Sequence, residues 1–304
     1  MERKNKQLFL SLCFSLISIL GIAQTNNLGK QLKQTISGKA ATVGVAVIFN
    51  GSELVTVNNI YRFPLANSIQ FHQALAVTDY VNKHNKALED ELTIKKSQLF
   101  EGTHSPMRDN NPNGNFIINV RDILKYSLID GDNNASDILF DYIGGPEKVE
   151  KYVHDLGIKD ISISQTEVKI LENPENIMQN WSKPYAATLL LETFLQQPVC
   201  TKGQKTFIER AMVDSKAGAN KLKAGLPKNV LLAHIASSTE RNEYGYKIAD
   251  NDMGFVVLPN GQYYTIAVFI MNSRESDKNN AKIIADISKV VYDYFVQNYQ
   301  KQAN

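Results

Sequence analysis

Two stretches of strand-forming sequence, one near each end of the chain, enclose a long middle that reads as helix, and this order limits the fold more than any other feature. Thr42–Phe49 (TVGVAVIF) is an unbroken apolar and β-branched run, the pattern of a buried strand, and Asn50-Gly51 turns it into Glu53–Val57 as a hairpin. Near the other end, Met253–Leu258 and Tyr263–Met271 flank the turn Pro259-Asn260-Gly261-Gln262, and Val230–Ser238 supplies a further strand. After Ser276, apolar residues at Ile283, Ile284, Ile287, Val290, Val291 and Phe295 recur at helical spacing, and an opening helix near Leu28–Ile36 matches them. From 67 to 225 the pattern is helical: Asn119 caps a helix carrying Ile123, Leu124 and Leu128, and Pro146 starts one that ends at Gly157. The predicted class is therefore α/β (α+β), an antiparallel sheet formed from both chain termini and packed with helices, plus an inserted all-helical lobe. One lobe takes residues 24–60 with 226–304 and the other takes 61–225, and a ligand is expected in the crevice between them.

The first 23 residues read as a signal peptide. Arg3, Lys4 and Lys6 precede an apolar run from Leu8 to Ile22 that closes on Gly21 and Ala23, which places cleavage before Gln24 and residues 24–304 in one exported domain, periplasmic or secreted. The run of about 15 residues is shorter than the roughly 20 needed to cross a bilayer, so no membrane association is expected after cleavage. Leu12 before Cys13 argues against lipidation, and Cys13 leaves with the signal, so Cys200 has no intramolecular partner. Of 33 Lys and Arg against 31 Asp and Glu, residues 1–23 hold three and one, which leaves a formally neutral chain with no footprint for nucleic acid. No HExxH, paired-cysteine spacing or phosphate-cradling glycine loop is present, so neither a metal nor another cofactor is expected.

The words FPLANSIQFHQALAV, DGDNNASDIL, TEVKI, NWSKPYAA, AHIASS and DMGFVVLPNGQYYTIAVF, in this order and spacing, resemble the class A serine β-lactamases from about Leu28 to Tyr299. That family works through S-x-x-K, S-D-N and K-T-G motifs and a loop glutamate. The serine attacks the lactam carbonyl, backbone N–H groups hold the oxyanion, and the glutamate activates the water that releases the acyl group. Laid on this sequence without gaps, the resemblance puts Asn67 at the nucleophile and Gln70 at its lysine. It puts Gly131-Asp132-Asn133 at S-D-N and Ile235-Ala236-Ser237 at K-T-G, with His234 before and Ser238 after. Glu167 matches the loop glutamate and is the one acid–base candidate retained. The ligand-binding positions implied are Asp132, Asn133, Ile235, Ala236, Ser237 and Ser238.

Each of these residues also has a structural role to offer. Asn67-x-x-Gln70 has the form of a capping box for the helix that follows, and Asp132 and Asn133 can cap the next one. Ile235 and Ala236 read as strand residues, His72 as a packed histidine, Trp181 as core and Glu167 as a loop carboxylate. Ser68 cannot replace a serine at 67, because one residue along a helix turns the side chain by about 100°. The sequence thus points to a non-catalytic, monomeric member of the family that binds a small molecule or a cell-envelope partner. The alternatives are a working β-lactamase that uses Glu167 or a displaced serine, and an interaction protein without a small-molecule site.

Overall fold

The computed structural model describes residues 27–299, so the signal peptide assigned to residues 1–23 lies outside the described residues. Five strands form the main sheet in the order β2-β1-β10-β9-β8, with every neighbouring pair antiparallel. They are β1 (Thr42–Phe49), β2 (Glu53–Val57), β8 (Leu231–Ser238), β9 (Lys247–Val257) and β10 (Tyr263–Ser273). The Asn50-Gly51 turn that joins β1 to β2 has φ of 46° and 72°, the paired left-handed values of a tight hairpin. β1 lies beside β10 in a register that sets Val45 against Val268, so the first and last strands of the chain share the middle of the sheet.

The sheet is covered on both faces, which is why its central strands are apolar without alternation. Val43, Val45 and Val47 of β1 and Ile266, Val268 and Ile270 of β10 share a core with Leu28 and Leu32 of the helix at 27–36 (α1). Ile283, Ile284, Ile287, Val291 and Phe295 of the closing helix α10 (Asp277–Tyr299) complete that core, and Phe295 stacks on Phe49 with ring centres 4.4 Å apart. The other set of alternating residues, Ala267, Phe269 and Met271 with Ala233, Ile235, Met253 and Phe255, packs into the helical lobe.

That lobe is built around α2 (Ile69–Lys83), whose buried residues occupy nearly its whole circumference. Around it stand α3 (Pro106–Asn110), α4 (Val120–Asp130), α5 (Asn133–Ile143), α6 (Pro146–Asp155), α7 (Glu167–Glu172), α8 (Pro184–Gln196) and α9 (Lys202–Val213). Two small sheets, β3 (Phe63–Pro64) with β7 (Trp181–Ser182) and β6 (Ile161–Ser162), and β4 (Glu91–Ile94) with β5 (Phe116–Asn119), brace the ends of the lobe. As the sequence predicts, Asn119 caps α4 by accepting the Asp122 amide at 2.8 Å, and Pro146 opens α6. Trp181 differs from expectation: it is only half-buried, with the Arg62 guanidinium 4.2 Å over its ring, so its apolar face is covered by a surface cation rather than by core.

Because α1 holds to the sheet through a few fully buried side chains, Leu32→Ala should lower stability by about 2–4 kcal/mol in chemical denaturation. Leu54→Ala, at a residue 42% exposed on β2, should change it by no more than about 0.5 kcal/mol.

Candidate functional site

The head of α2 meets the open edge of the sheet. The chain enters α2 through a 3-10 turn at Ala66–Ser68, and Ala66 holds φ of +44°, a conformation that costs a residue with a Cβ about 1–2 kcal/mol. Directly after this turn-in, Asn67 stands partly exposed at the crevice wall. Its side chain is not a cap: neither Asn67 nor Gln70 bonds the helix N-terminus, and the predicted capping box is not formed. Asn67 lies inside the turn, two residues past its N-cap Leu65 and one residue before Ser68, the N-cap of α2, so it stands at neither capping position. Instead its Nδ2 donates to Gly131 O and to Asn133 Oδ1, each at 2.9 Å, and so ties α2 to the α4–α5 loop. Gln70 is buried and its Nε2 points the same way, 3.5 Å from Asp132 O.

That loop is shaped by its own sequence. Gly131 takes φ of +68° to end α4, and Asp132 caps α5 by accepting the Ala135 amide at 2.8 Å. The Asp132 carboxylate also accepts from Met107 N at 2.6 Å and Ser105 Oγ at 2.9 Å, and is fully buried. Asp132 therefore serves the loop and does not line the crevice, contrary to the ligand-binding role implied by its motif. Asn133 does line it, with Nδ2 donating to Thr103 Oγ1 at 2.5 Å.

On the facing side β8 has β9 as its only ladder partner among the described residues. Thr239 N donates to Ala249 O across that ladder, so by the alternation of an antiparallel pair the Ser238 amide points outward, to the crevice. Ala236, Ser237 and Ser238 line the cavity, whereas Ile235 does not. Strand alternation turns Ile235 toward the helical lobe, where it is core. Ser237 is also turned that way: its Oγ donates to Leu65 O at 3.1 Å and lies 3.0 Å from the fully buried Ser68 Oγ. Ser68 is thus closed in against β8. His72, one turn along, holds its Nδ1 3.2 Å from Ser68 O, and burial lowers its imidazole to about 4, which keeps it neutral.

Sequence reasoning missed the cation of this region. Lys221 brings its ammonium to Ser237 O at 2.7 Å, Asn251 O at 3.2 Å and Asp250 Oδ1 at 2.6 Å, with 8% of its side chain exposed. Nothing marks Lys221 in the sequence, since it lies outside every motif in a surface-like stretch and reaches the strand only through the fold. Below it His234 Nδ1 donates to Asp252, 2.9 Å from one carboxylate oxygen, in a buried pair. Together these walls enclose a cavity of about 430 Å³, within the range of small-ligand sites.

Glu167 opens α7 and does not line the cavity. Its amide and that of Val168 donate to the two oxygens of Asp137, at 2.7 and 2.8 Å. Although Glu167 is only partly covered as a residue, low-dielectric surroundings and then the Asp137 charge push its carboxyl up to about 8. Burial likewise raises Asp137, to about 6, against the pull of the two amides. No cation offsets the pair among the described groups that shift them, so Glu167 is a protonated acid at neutral pH.

A five-stranded antiparallel sheet made from both chain ends, backed by the terminal helices and meeting the head of a buried helix at its open edge, defines a β-lactamase-type fold. The sequence model of the Beta-lactamase enzyme family matches residues 27–295, and the chain belongs to that family, among its class A members. It is 39% identical over 285 residues to a β-lactamase of Bacteroides uniformis, which covers 93% of this chain and 96% of that one. It is 35% identical over 291 residues to β-lactamase VEB-1 of Pseudomonas aeruginosa, covering 94% and 96%. Among solved structures, a class A β-lactamase from Bacteroides cellulosilyticus superposes with a TM-score of 0.87 at 41% identity, over 90% of this chain and 99% of that one.

The carboxyl pair fixes a pH dependence. Glu167 and Asp137 hold protons in the folded state at pH values where the unfolded chain has lost them, so stability is full below about 4 and falls as pH rises toward about 8. The unfolding free energy should drop between pH 5 and pH 8.5, by up to about 5 kcal/mol, and Glu167→Gln should remove most of that drop. A midpoint independent of pH would place the carboxyl in solvent.

Asn67 and Gln70 make a second prediction. Replacing them together by Ser and Lys removes both ties to the α4–α5 loop and puts an ammonium near the positive end of α2, so stability should fall by roughly 1–2 kcal/mol at an unchanged denaturant slope.

Proposed function

We propose that this protein is an exported, non-catalytic member of the class A β-lactamase family whose crevice binds a small molecule without covalent chemistry. The observation that carries the reading is Asn67. The sequence resemblance assigns it the place of the family's serine at the head of α2, and its amide is spent on Gly131 O and Asn133 Oδ1. A carboxamide offers no nucleophilic hydroxyl, and Gln70 and Ile235 offer no ammonium to take or steer a proton.

The nearby hydroxyls do not compensate. Ser68 is fully buried with its Oγ against Ser237, and Ser237 directs its own proton to Leu65 O. Ser238 is exposed at the crevice, but its side chain has no base within hydrogen-bond reach among the described residues. Loss of the nucleophile in a serine hydrolase costs about 10⁶ in turnover, or roughly 8 kcal/mol of barrier. Glu167 working alone on water is disfavoured by its state: a carboxyl held protonated up to about 8 is not a base at neutral pH. The cavity and the outward Ser238 amide support a ligand site over a surface used only for protein contacts. The charged, apolar and small-residue segments of residues 1–23 support export.

Incubation of the processed protein with benzylpenicillin should leave its intact mass unchanged, and nitrocefin should be hydrolysed no faster than in buffer. Asn67→Ser alone should not restore turnover, because Gln70, Gly131 and Ile235 remain. A stoichiometric adduct on the native chain at Ser68, Ser237 or Ser238 would overturn the reading.

A further inference from the structure

The reading of the crevice as a ligand site leaves its ligand unnamed, and the charge and hydrogen-bond inventory of its walls narrows the choice. One ammonium lines the cavity, that of Lys221. Lys221 donates to two carbonyls within the protein, Ser237 O and Asn251 O, and forms an ion pair with Asp250. Its charge is offset by a carboxylate at 2.6 Å, and both side chains are almost wholly buried. A ligand carboxylate entering here finds no free cation.

Three aspartates also line the cavity, and each is already matched. Asp130 pairs with Lys216 at 2.6 Å, Asp250 with Lys221, and Asp277 with Arg241 at 2.7 Å and Lys247 at 3.2 Å. An anion would therefore approach three carboxylates, and a cation would find each of them neutralised; a charged group would lose its water without gaining a partner. The open groups are of another kind. Asn67 Oδ1 is an acceptor that carries no partner among the described residues, because both bonds of that side chain are made by Nδ2. The Ser238 amide is a donor turned outward from the edge of β8. The Asn220 side chain and the Ser238 hydroxyl, which also line the cavity, are neutral too, and acceptors beside donors complement the N–H and C=O of an amide.

We infer that the crevice takes an uncharged, amide-bearing small molecule and discriminates against carboxylates, with Asp250 the residue that silences the Lys221 ammonium. The inference rests on the non-covalent reading proposed above, and the two fail differently.

The test uses three probes that differ at one group: benzylpenicillin, its methyl ester and its 2-aminoethyl ester, titrated calorimetrically into the processed protein after mass spectrometry has shown whether an adduct forms. The neutral methyl ester should bind at least tenfold more tightly than the acid. Asp250→Asn, which keeps the side-chain shape and frees the ammonium, should shift the acid-to-ester affinity ratio at least tenfold toward the acid, with folding checked by its melting transition. The inference is overturned by an acid that binds the native protein as tightly as the methyl ester, or by an aminoethyl ester that binds more tightly than the methyl ester. It is overturned too by a ratio that Asp250→Asn leaves unmoved in a folded variant, or by the absence of binding for all three probes. An adduct or hydrolysis, by contrast, removes the non-catalytic reading itself.

Discussion

The pairing of β1 with β10 is the contact on which everything else in the molecule rests, because it joins residues more than two hundred positions apart and so fixes both ends of the chain in one sheet. Once that ladder is made, the intervening residues must leave and return on the same side, and they do so as the helical lobe around α2. The sheet buries its two faces against different partners, α1 and α10 on one side and the lobe on the other. Its last strand, β8, is left with one edge unladdered where the head of α2 arrives. A site at this junction follows from connectivity, and the strained turn at Ala66 aims the first residues of α2 into it.

The groups at the site are mutually consistent with the non-covalent reading proposed for it. Gln70 and Ile235 remove two ammonium groups at the positions the family resemblance assigns, and the consequences reach the residues that stay. No cation among the described residues shifts the Glu167 and Asp137 carboxyls, and burial raises both, Glu167 to about 8. Asn67 can bridge Gly131 O and Asn133 Oδ1 because Gly131 ends α4 in a left-handed turn that presents its carbonyl to the crevice. The one lysine that does arrive, Lys221, is held by a carboxylate and two carbonyls and braces the β8 edge. Carboxamides and paired charges are groups that a partly buried crevice keeps at low cost.

The sequence by itself determined the elements and their order. Period-2 and period-3.6 patterns, the Asn50-Gly51 turn and the Asn119 cap depend on neighbours within a few residues; the turn and the cap are found where the pattern puts them, whereas β9 begins at Lys247, six residues before the expected Met253, and the lobe expected to be all-helical also carries two small sheets. The substitutions at the motif positions are equally plain in the sequence, since a missing serine or lysine is a matter of identity alone. What the tertiary structure decided is which of those side chains face one another. Asn67 and Gln70 have the spacing of a capping box, yet they reach across to a loop about sixty positions away. Asp132 and Ile235 sit in motif words, yet a cap and a strand alternation turn them into the interior. Lys221 carries no local signal and still becomes the cation of the crevice. Local spacing constrains only the backbone within a turn or two, whereas the direction of a side chain and the charge that meets it are set by long-range packing, which no short stretch of sequence contains.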